Sequence, residues 1–357
     1  MRVLLLADGR SVHTERFRQG LLAQGIRVVL ASLESGTTVD IQLKRKTAIN
    51  SLNYFLSSGE IAAIVKRTAP DLINPHFASG YGFAAARSKK SHGKPLLLHC
   101  LGSDILISPE KSFLHRKRVA FALSRADHLV VDSHFLADQV RKLHPAENIS
   151  IIPWGVENDI IKLFEKRVNR HNPRQRPLRV LVPRPHNYVY NNSFIIRALA
   201  PFIIRGEISL TFPDWGSEID SFRALVKREC PKGNVHYYSF MPHEKYTEFL
   251  AQFDYYLSAS VSDSSPASLL EAMGAGLFPI VSDIPGVKEW VGPGNAILFN
   301  PNNPDSLKQG FERLINDQID LDPILEENHL KIKESAIFAE NIRSTIQIME
   351  RLISHAS

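Results

Sequence analysis

The strongest constraint on the fold is that the β-type runs of this chain are apolar almost throughout, rather than at every second residue. Arg2–Leu6, Val28–Ala31, Leu72–Asn74, Leu96–Leu98, His128–Val131 and Ile149–Ile152 have this character in the first half. Strands with that pattern are covered on both faces, which is the condition of a parallel sheet. Helical patterns stand between several of them, at Thr14–Gln24, Ile61–Lys66, Phe83–Ser91 and His134–Leu143. Alternation of this kind predicts an α/β, doubly wound architecture.

The pattern then breaks at Lys166–Arg179, KRVNRHNPRQRPLR, polar and twice interrupted by proline, which is the expected hinge. A second alternation follows. Its strands are expected at Val180–Val182, Ile208–Phe212, Val235–Tyr238, Tyr255–Leu257, Phe278–Val281 and Ala296–Phe299. Its helices are expected at Ser193–Phe202, Glu218–Lys227, His243–Phe253, Ala267–Ala275 and Pro304–Asn316. The tail Leu330–Ser354 is helical in pattern. The expected division is a first domain over residues 1–165, a linker over 166–179, a second domain over 180–335, and a C-terminal helix over 336–357. A chain of 357 residues with 44% hydrophobic residues is long enough for two cores.

Charge is divided as unevenly as pattern. Residues 1–156 carry 21 Lys and Arg against 12 Asp and Glu, whereas residues 180–357 carry 15 against 22, within a net charge of +6. A basic front half suits a partner that presents negative charge on one side only. The runs Lys44–Lys46, Arg87–Lys94 and His115–Arg118 concentrate it. HRKRVAFALSRA sets basic residues beside an apolar helix face, as in helices that lie on membranes. Charge runs are more often plain solvated faces. No apolar run approaches the roughly 20 residues of a spanning helix. No signal-peptide core precedes the first strand. Cys100 and Cys230 have neither metal nor disulfide spacing. The expectation is a cytoplasmic protein, soluble or peripheral on the membrane, with no nucleic-acid partner.

The chemistry concentrates in Asp263–Glu289, where Asp263 and Ser264 lead into SPASLLEAMGAGLFPIVSDIPGVKE. A strand runs into a Ser-rich loop that opens a helix. The free N–H groups and positive dipole end of such a helix suit a phosphate. Pro266 is expected at the first helical position with Ser265 as the N-cap, leaving the amides of Ala267 and Ser268 for the phosphate. Seven residues separate Asp263 from Glu271, which lies about one turn into the helix, within reach of hydroxyls carried by the phosphate. Standing alone, the same residues describe an ordinary capped helix with two surface acids.

Three stretches carry a wider likeness: EAMGAGLFPIVSDIPG, RADHLVVDSHFLADQVRKL with ISIIPWGVE over residues 125–157, and HCLGSD over residues 99–104. Together they resemble the GT-B retaining glycosyltransferases of family 4, the glycosyl transferases of group 1. The resemblance implies two Rossmann-like domains facing a cleft, with a final helix crossing back to the first. It implies a sugar moved from a UDP- or GDP-sugar to a glycan or lipid-linked acceptor hydroxyl, without metal or other cofactor and with anomeric configuration retained. Bacterial surface polysaccharide or glycoconjugate synthesis is the implied setting.

By the same resemblance Asp263 contacts the transferred sugar and Glu271 the ribose, with Ser265, Ala267 and Ser268 at the phosphates and the Met241 backbone at the base. Arg184 matches the family's diphosphate arginine. The family's partner lysine is absent, because the stretch there reads Tyr190-Asn191-Asn192, and Arg10 is the substitute considered. Gly9 implies close approach to the diphosphate. His99 implies a place beside the reacting sugar, with His13, His76 and Asp104 toward the acceptor. The catalytic set is therefore His99, Asp263 and Arg184.

The sequence leaves open a sugar-nucleotide epimerase or phosphorylase of the same fold, and a non-catalytic sugar-binding protein. Asp320-Leu321-Asp322 lacks the preceding strand that a metal-binding DxD needs and is expected at the surface. Zinc hydrolase, serine hydrolase and Walker motifs are missing from the sequence.

Overall fold

The structure, a computed structural model, describes residues 1–168 and 176–356. It divides into two compact units, Met1–Pro153 with Ala339–Ser357, and Trp154–Phe338.

In the first unit the strands are β1 (Arg2–Leu6), β2 (Arg27–Ser32), β3 (Ile41–Gln42), β4 (Leu72–Pro75), β5 (Leu97–His99), β6 (His128–Val131) and β7 (Ile149–Ile151). Their spatial order is β3-β2-β1-β4, followed by β5-β6-β7. Single parallel bridges, Ile73 to Leu96 and His76 to His99, join β4 to β5. The pairings are parallel. Leu4, Leu6, Ile73, Leu98 and Leu129 are shielded from solvent by helices, as the unbroken apolar runs require.

The second unit contains β8 (Leu178–Leu181), β9 (Ile208–Pro213), β10 (Val235–Tyr238), β11 (Tyr255–Ser258), β12 (Phe278–Ser282) and β13 (Ile297–Phe299). They form one parallel sheet in the order β10-β9-β8-β11-β12-β13. Progression runs outward from β8 through β9 to β10, then restarts beside β8 with β11. The pair β8–β11 is therefore the point where strand order reverses, and ligands of such sheets gather beyond the carboxyl ends of the strands there.

Three features differ from the sequence reading. Residues 154–165 pack with the second unit and not the first: the helix Asn158–Val168 buries Ile160, Ile161 and Leu163 among Leu269, Leu270, Met273 and Ile332. The hinge expected at Lys166–Arg179 is taken at one end by that helix and at the other by β8, while residues 169–175 lie outside the described residues. The tail is two helices, Leu321–Ser335 and Phe338–Ala356. Between them Val156 donates to the Ala336 carbonyl at 2.7 Å and accepts from the Phe338 amide at 3.0 Å. That backbone pairing interrupts the helical ladder. Asp320 is the N-cap residue of the first tail helix and Asp322 lies in its first turn.

Trp154, Trp215 and Trp290 account for all the tryptophans and lie in the second unit, so indole fluorescence follows that unit alone. Ile160→Ala is expected to lower its stability by about 2–5 kcal/mol, the usual cost of emptying a fully buried aliphatic site. Urea unfolding followed by tryptophan emission checks this. A midpoint equal to that of the parent would place the Asn158–Val168 helix outside the second core.

Candidate active site

The reversal of strand order brings Arg184 and Asp263 together. Arg184 lies three residues beyond β8, and Asp263 follows β11. One terminal nitrogen of the Arg184 guanidinium donates to Asp263 Oδ2 in a close ion pair, and the other donates to Ser268 Oγ at 3.3 Å. The Tyr190 ring lies under the same guanidinium, 4.3 Å from its carbon. Both charged side chains are largely buried, with 12% and 15% of their surface exposed. Burial by itself would ease Arg184 toward its neutral form. The Asp263 carboxylate, with smaller contributions from Tyr256 and Tyr190, outweighs it and raises the Arg184 pKa above its ordinary value. Arg184 Nε is buried with no hydrogen-bond partner among the described residues. Tyr256, buried at the centre of β11, pairs its hydroxyl with Ser268 Oγ at 3.0 Å.

Ser268 belongs to the helix Ala267–Gly274. The N-cap is Pro266 and not Ser265, and no side chain caps this helix start. Ser265 Oγ instead accepts the Trp290 indole N–H at 2.9 Å, which ties the loop down from the next connection. Ala267 and Ser268, the first two helical residues, have no carbonyl a turn earlier in the helix to receive their N–H groups. The loop is also fixed from below by Gly286. A Cβ there would meet the Asp263 carbonyl oxygen at 2.0 Å and the Ser264 carbonyl oxygen at 2.6 Å, so only glycine fits. Glu271, half-buried in the same helix, faces the phenols of Tyr238 and Tyr246. Both phenols are pushed above their usual range, by burial first and then by the Glu271 charge.

Other expected donor-side residues fall around this centre. Asn191, a donor-side candidate, occupies the left-handed N-cap of the helix Asn192–Ile204, at φ 51°. Its neighbour Asn192 holds the arginine loop, donating to the Arg184 carbonyl at 2.9 Å. Met241 is half-buried in the connection after β10.

In the first unit, His99 ends β5 and is buried, with Nδ1 2.8 Å from Asn74 Nδ2. His76, at the end of β4, lies 4.8 Å from His99 between ring centres, and Phe17 packs edge-on to both. Burial drives both imidazoles neutral: His76 is lowered to about 3, and His99 well below its usual value, with the His76 and His128 charges adding to the effect. Asp104, expected at the acceptor, is buried. Its oxygens accept from the backbone N–H groups of Ala78 at 2.6 Å and Leu101 at 3.0 Å, so it fixes the loop after β5. Burial raises its pKa to about 6 against those amides, which lower it. His13 is exposed in the first turn of the helix Val12–Ala23.

Arg10, the substitute cation considered from the sequence, is exposed and pairs with Asp8 at 3.0 Å and Glu34 at 3.5 Å. Gly9 donates its N–H to Ser32 Oγ at 3.0 Å, and a Cβ on it would strike Val39 at 2.2 Å, so its bareness serves the packing of its own loop. Among the described residues, no three His, Cys, Asp or Glu side chains form a group able to hold a metal ion.

Two family models match this chain: "Glycosyl transferase 4-like" over residues 2–133 and "Glycosyl transferases group 1" over residues 164–336. The chain is a glycosyltransferase whose residues 164–336 belong to the glycosyl transferases of group 1. This glycosyltransferase is 24% identical over 257 residues to a Bacillus subtilis (strain 168) protein named for teichuronic acid biosynthesis, the glycosyltransferase TuaC. The match covers 70% of this chain and 62% of that relative, less than two thirds of its length. Among solved structures it resembles sucrose-phosphate synthase from Thermosynechococcus elongatus, with a TM-score of 0.83 at 15% identity, covering 99% of this chain and 100% of the other. Anabaena HepE in complex with UDP-glucose gives a TM-score of 0.78 at 16% identity, covering 98% and 100%. These likenesses show the GT-B glycosyltransferase fold.

The glycosyltransferase sequence did not reveal the aromatic support of its charged pair. Tyr190 stood out only as part of the stretch where a lysine is usual, while Tyr238 and Tyr256 lay within expected strands and Tyr246 within an expected helix. Spacing within a loop identifies acids and helix starts, but it says little about which ring lies beneath a guanidinium.

The neutral histidines set a pH dependence. Unfolded, His76 takes a proton below its usual value near 6.5; folded, it resists until about 3. Its contribution is therefore complete above 6.5 and is lost as the pH falls through that window, by about 1.4 kcal/mol per pH unit. His76→Phe is expected to flatten the slope by that amount between pH 6.5 and 3, measured by urea unfolding followed by circular dichroism. An unchanged slope would mean that His76 titrates normally in the folded protein.

Proposed function

We propose that this glycosyltransferase moves a sugar from a nucleotide diphosphate sugar to a hydroxyl of a glycan or lipid-linked acceptor, retaining anomeric configuration and needing no metal. The observation that carries this reading is Arg184, buried against the uncapped start of the helix Ala267–Gly274 where strand order reverses. A buried guanidinium beside unsatisfied helix amides is a place for a diphosphate. In the step itself, the bond from the anomeric carbon to the phosphate oxygen breaks and the acceptor oxygen bonds to that carbon. The departing phosphate oxygen takes the acceptor's proton on the same face. Arg184 and the amides of Ala267 and Ser268 stabilise the charge that leaves. Glu271 holds ribose hydroxyls and Asp263 the sugar. His99 of the first unit is held neutral by burial, so its part in binding is that of a hydrogen-bonding group and not of a cation.

UDP is the favoured nucleotide, because the HepE neighbour is described with UDP-glucose. Polysaccharide synthesis is favoured by the name of the Bacillus relative. Glu271→Ala is expected to cost at least about 100-fold in kcat/KM, about 3 kcal/mol of transition-state stabilisation, while the thermal transition stays in place. A panel of UDP- and GDP-sugars assayed with and without EDTA checks both the donor and the metal. Full activity of the variant would remove Glu271 from the site, and loss of wild-type activity in chelator would reject metal independence.

Contact with an anionic membrane belongs to the same reading, but by a route different from the one suggested by the sequence. The apolar face of the helix Phe113–Arg125, with Val119, Ala122 and Leu123, is turned into the protein's own core. Arg118 is turned inward too, donating to the Ser51 and Ser79 carbonyls and lying over Phe83. What faces outward is the start of the helix: Phe113 and Leu114 are 68% and 71% exposed, with Lys117 over the Phe113 ring at 4.5 Å. Rings and aliphatic groups edged by cations suit a phospholipid surface. Phe113→Ser with Leu114→Ser is expected to reduce co-sedimentation with phosphatidylglycerol vesicles several-fold. Equal sedimentation of variant and parent would end the membrane reading.

A further inference from the structure

The contact between Arg184 and Asp263 bears directly on donor binding. The loop from Pro183 to Asn192 carries a single permanent cation, Arg184. That one cation is already engaged: its terminal nitrogens serve Asp263 and Ser268, and the Tyr190 ring holds it from beneath. A diphosphate at the start of the Ala267–Gly274 helix would be adjacent to Ser268, and thus to the same guanidinium. Two anions would then share one guanidinium in a largely dry environment, and the carboxylate would repel the phosphates at close range.

Resting on the donor-site reading above, we propose that Asp263 is an internal stand-in for the donor diphosphate, which displaces it from Arg184 during binding. The displacement is a rotation of the Asp263 side chain and not a shift of its loop. The loop backbone is seated on Gly286, and Ser265 is tied to Trp290. Rotated away, the Asp263 carboxylate is free to accept hydrogen bonds from the hydroxyls of the sugar attached to that diphosphate. A complete donor therefore satisfies both partners of the broken pair, whereas a nucleoside diphosphate without its sugar satisfies Arg184 and strands Asp263. The pair discriminates donor from spent product, and it helps to expel the product.

The test is the affinity of UDP and of a non-hydrolysable UDP-sugar analogue for wild type, Asp263→Asn and Asp263→Ser, measured by calorimetry on full-length protein. Asp263→Asn removes the competing charge and keeps the shape, and Asp263→Ser serves if the first variant fails to fold. The expected result is UDP binding about tenfold tighter in the variants, with the analogue gaining less or weakening, so that the preference for the analogue over UDP shrinks or inverts. A merely structural Asp263 would weaken both ligands together. If wild type binds UDP and the variants bind it no tighter, the displacement is overturned and the donor site stands. If wild type binds neither UDP nor GDP, nor their sugars, the donor-site reading falls and takes this proposal with it.

Discussion

Arg184 and Asp263 lie 79 positions apart along the chain, and what brings them into contact is the pairing of Tyr255 and Tyr256 with Val180 and Leu181. Those two register pairs join the halves of the second sheet. On one side of the seam strand order climbs toward β10 and on the other toward β13, so the connections above it turn away from each other and leave room between them. The charged centre occupies that room. Its low exposure follows from the same cause, since Tyr256 rises from the middle of the seam to meet Ser268, and Tyr190 rests under the guanidinium.

Much of this was legible in the sequence, for a physical reason. Among the described residues, twelve of the thirteen strands were visible because a strand buried on both faces has no choice but to be apolar, as Leu4–Leu6 and Phe278–Val281 show. The strand missed, Ile41–Gln42, has two residues at a sheet edge and no such requirement. The domain boundary was misjudged because Asn158–Val168 is amphipathic, and an amphipathic helix announces that it has a core without saying which. The break near Ala336 fell where the sequence division placed it, but its backbone bridge to Val156, some 180 residues away, left no mark in the local residues.

The candidate site divides along the same line. Asp263, Arg184, Ser268 and Glu271 carry charge or hydroxyls at loop and helix positions that chemistry makes conspicuous. Asp104 looked equally conspicuous, yet it is buried and committed to backbone amides. A charged residue in a loop advertises an unmet need for a partner. Whether that partner is a ligand or a neighbouring backbone depends on distances that a linear text does not hold.

The Ala267–Gly274 helix begins at a proline that contributes neither an amide hydrogen nor a capping oxygen, and the nearest serine is occupied by an indole. Short helices draw much of their stability from their ends. This one has been left unfinished at the end where an anion would sit, so whatever arrives there completes a piece of the protein's own architecture. Occupancy and order in that first turn should then rise and fall together, and the segment that grips a substrate will also be the segment most loosened by its departure.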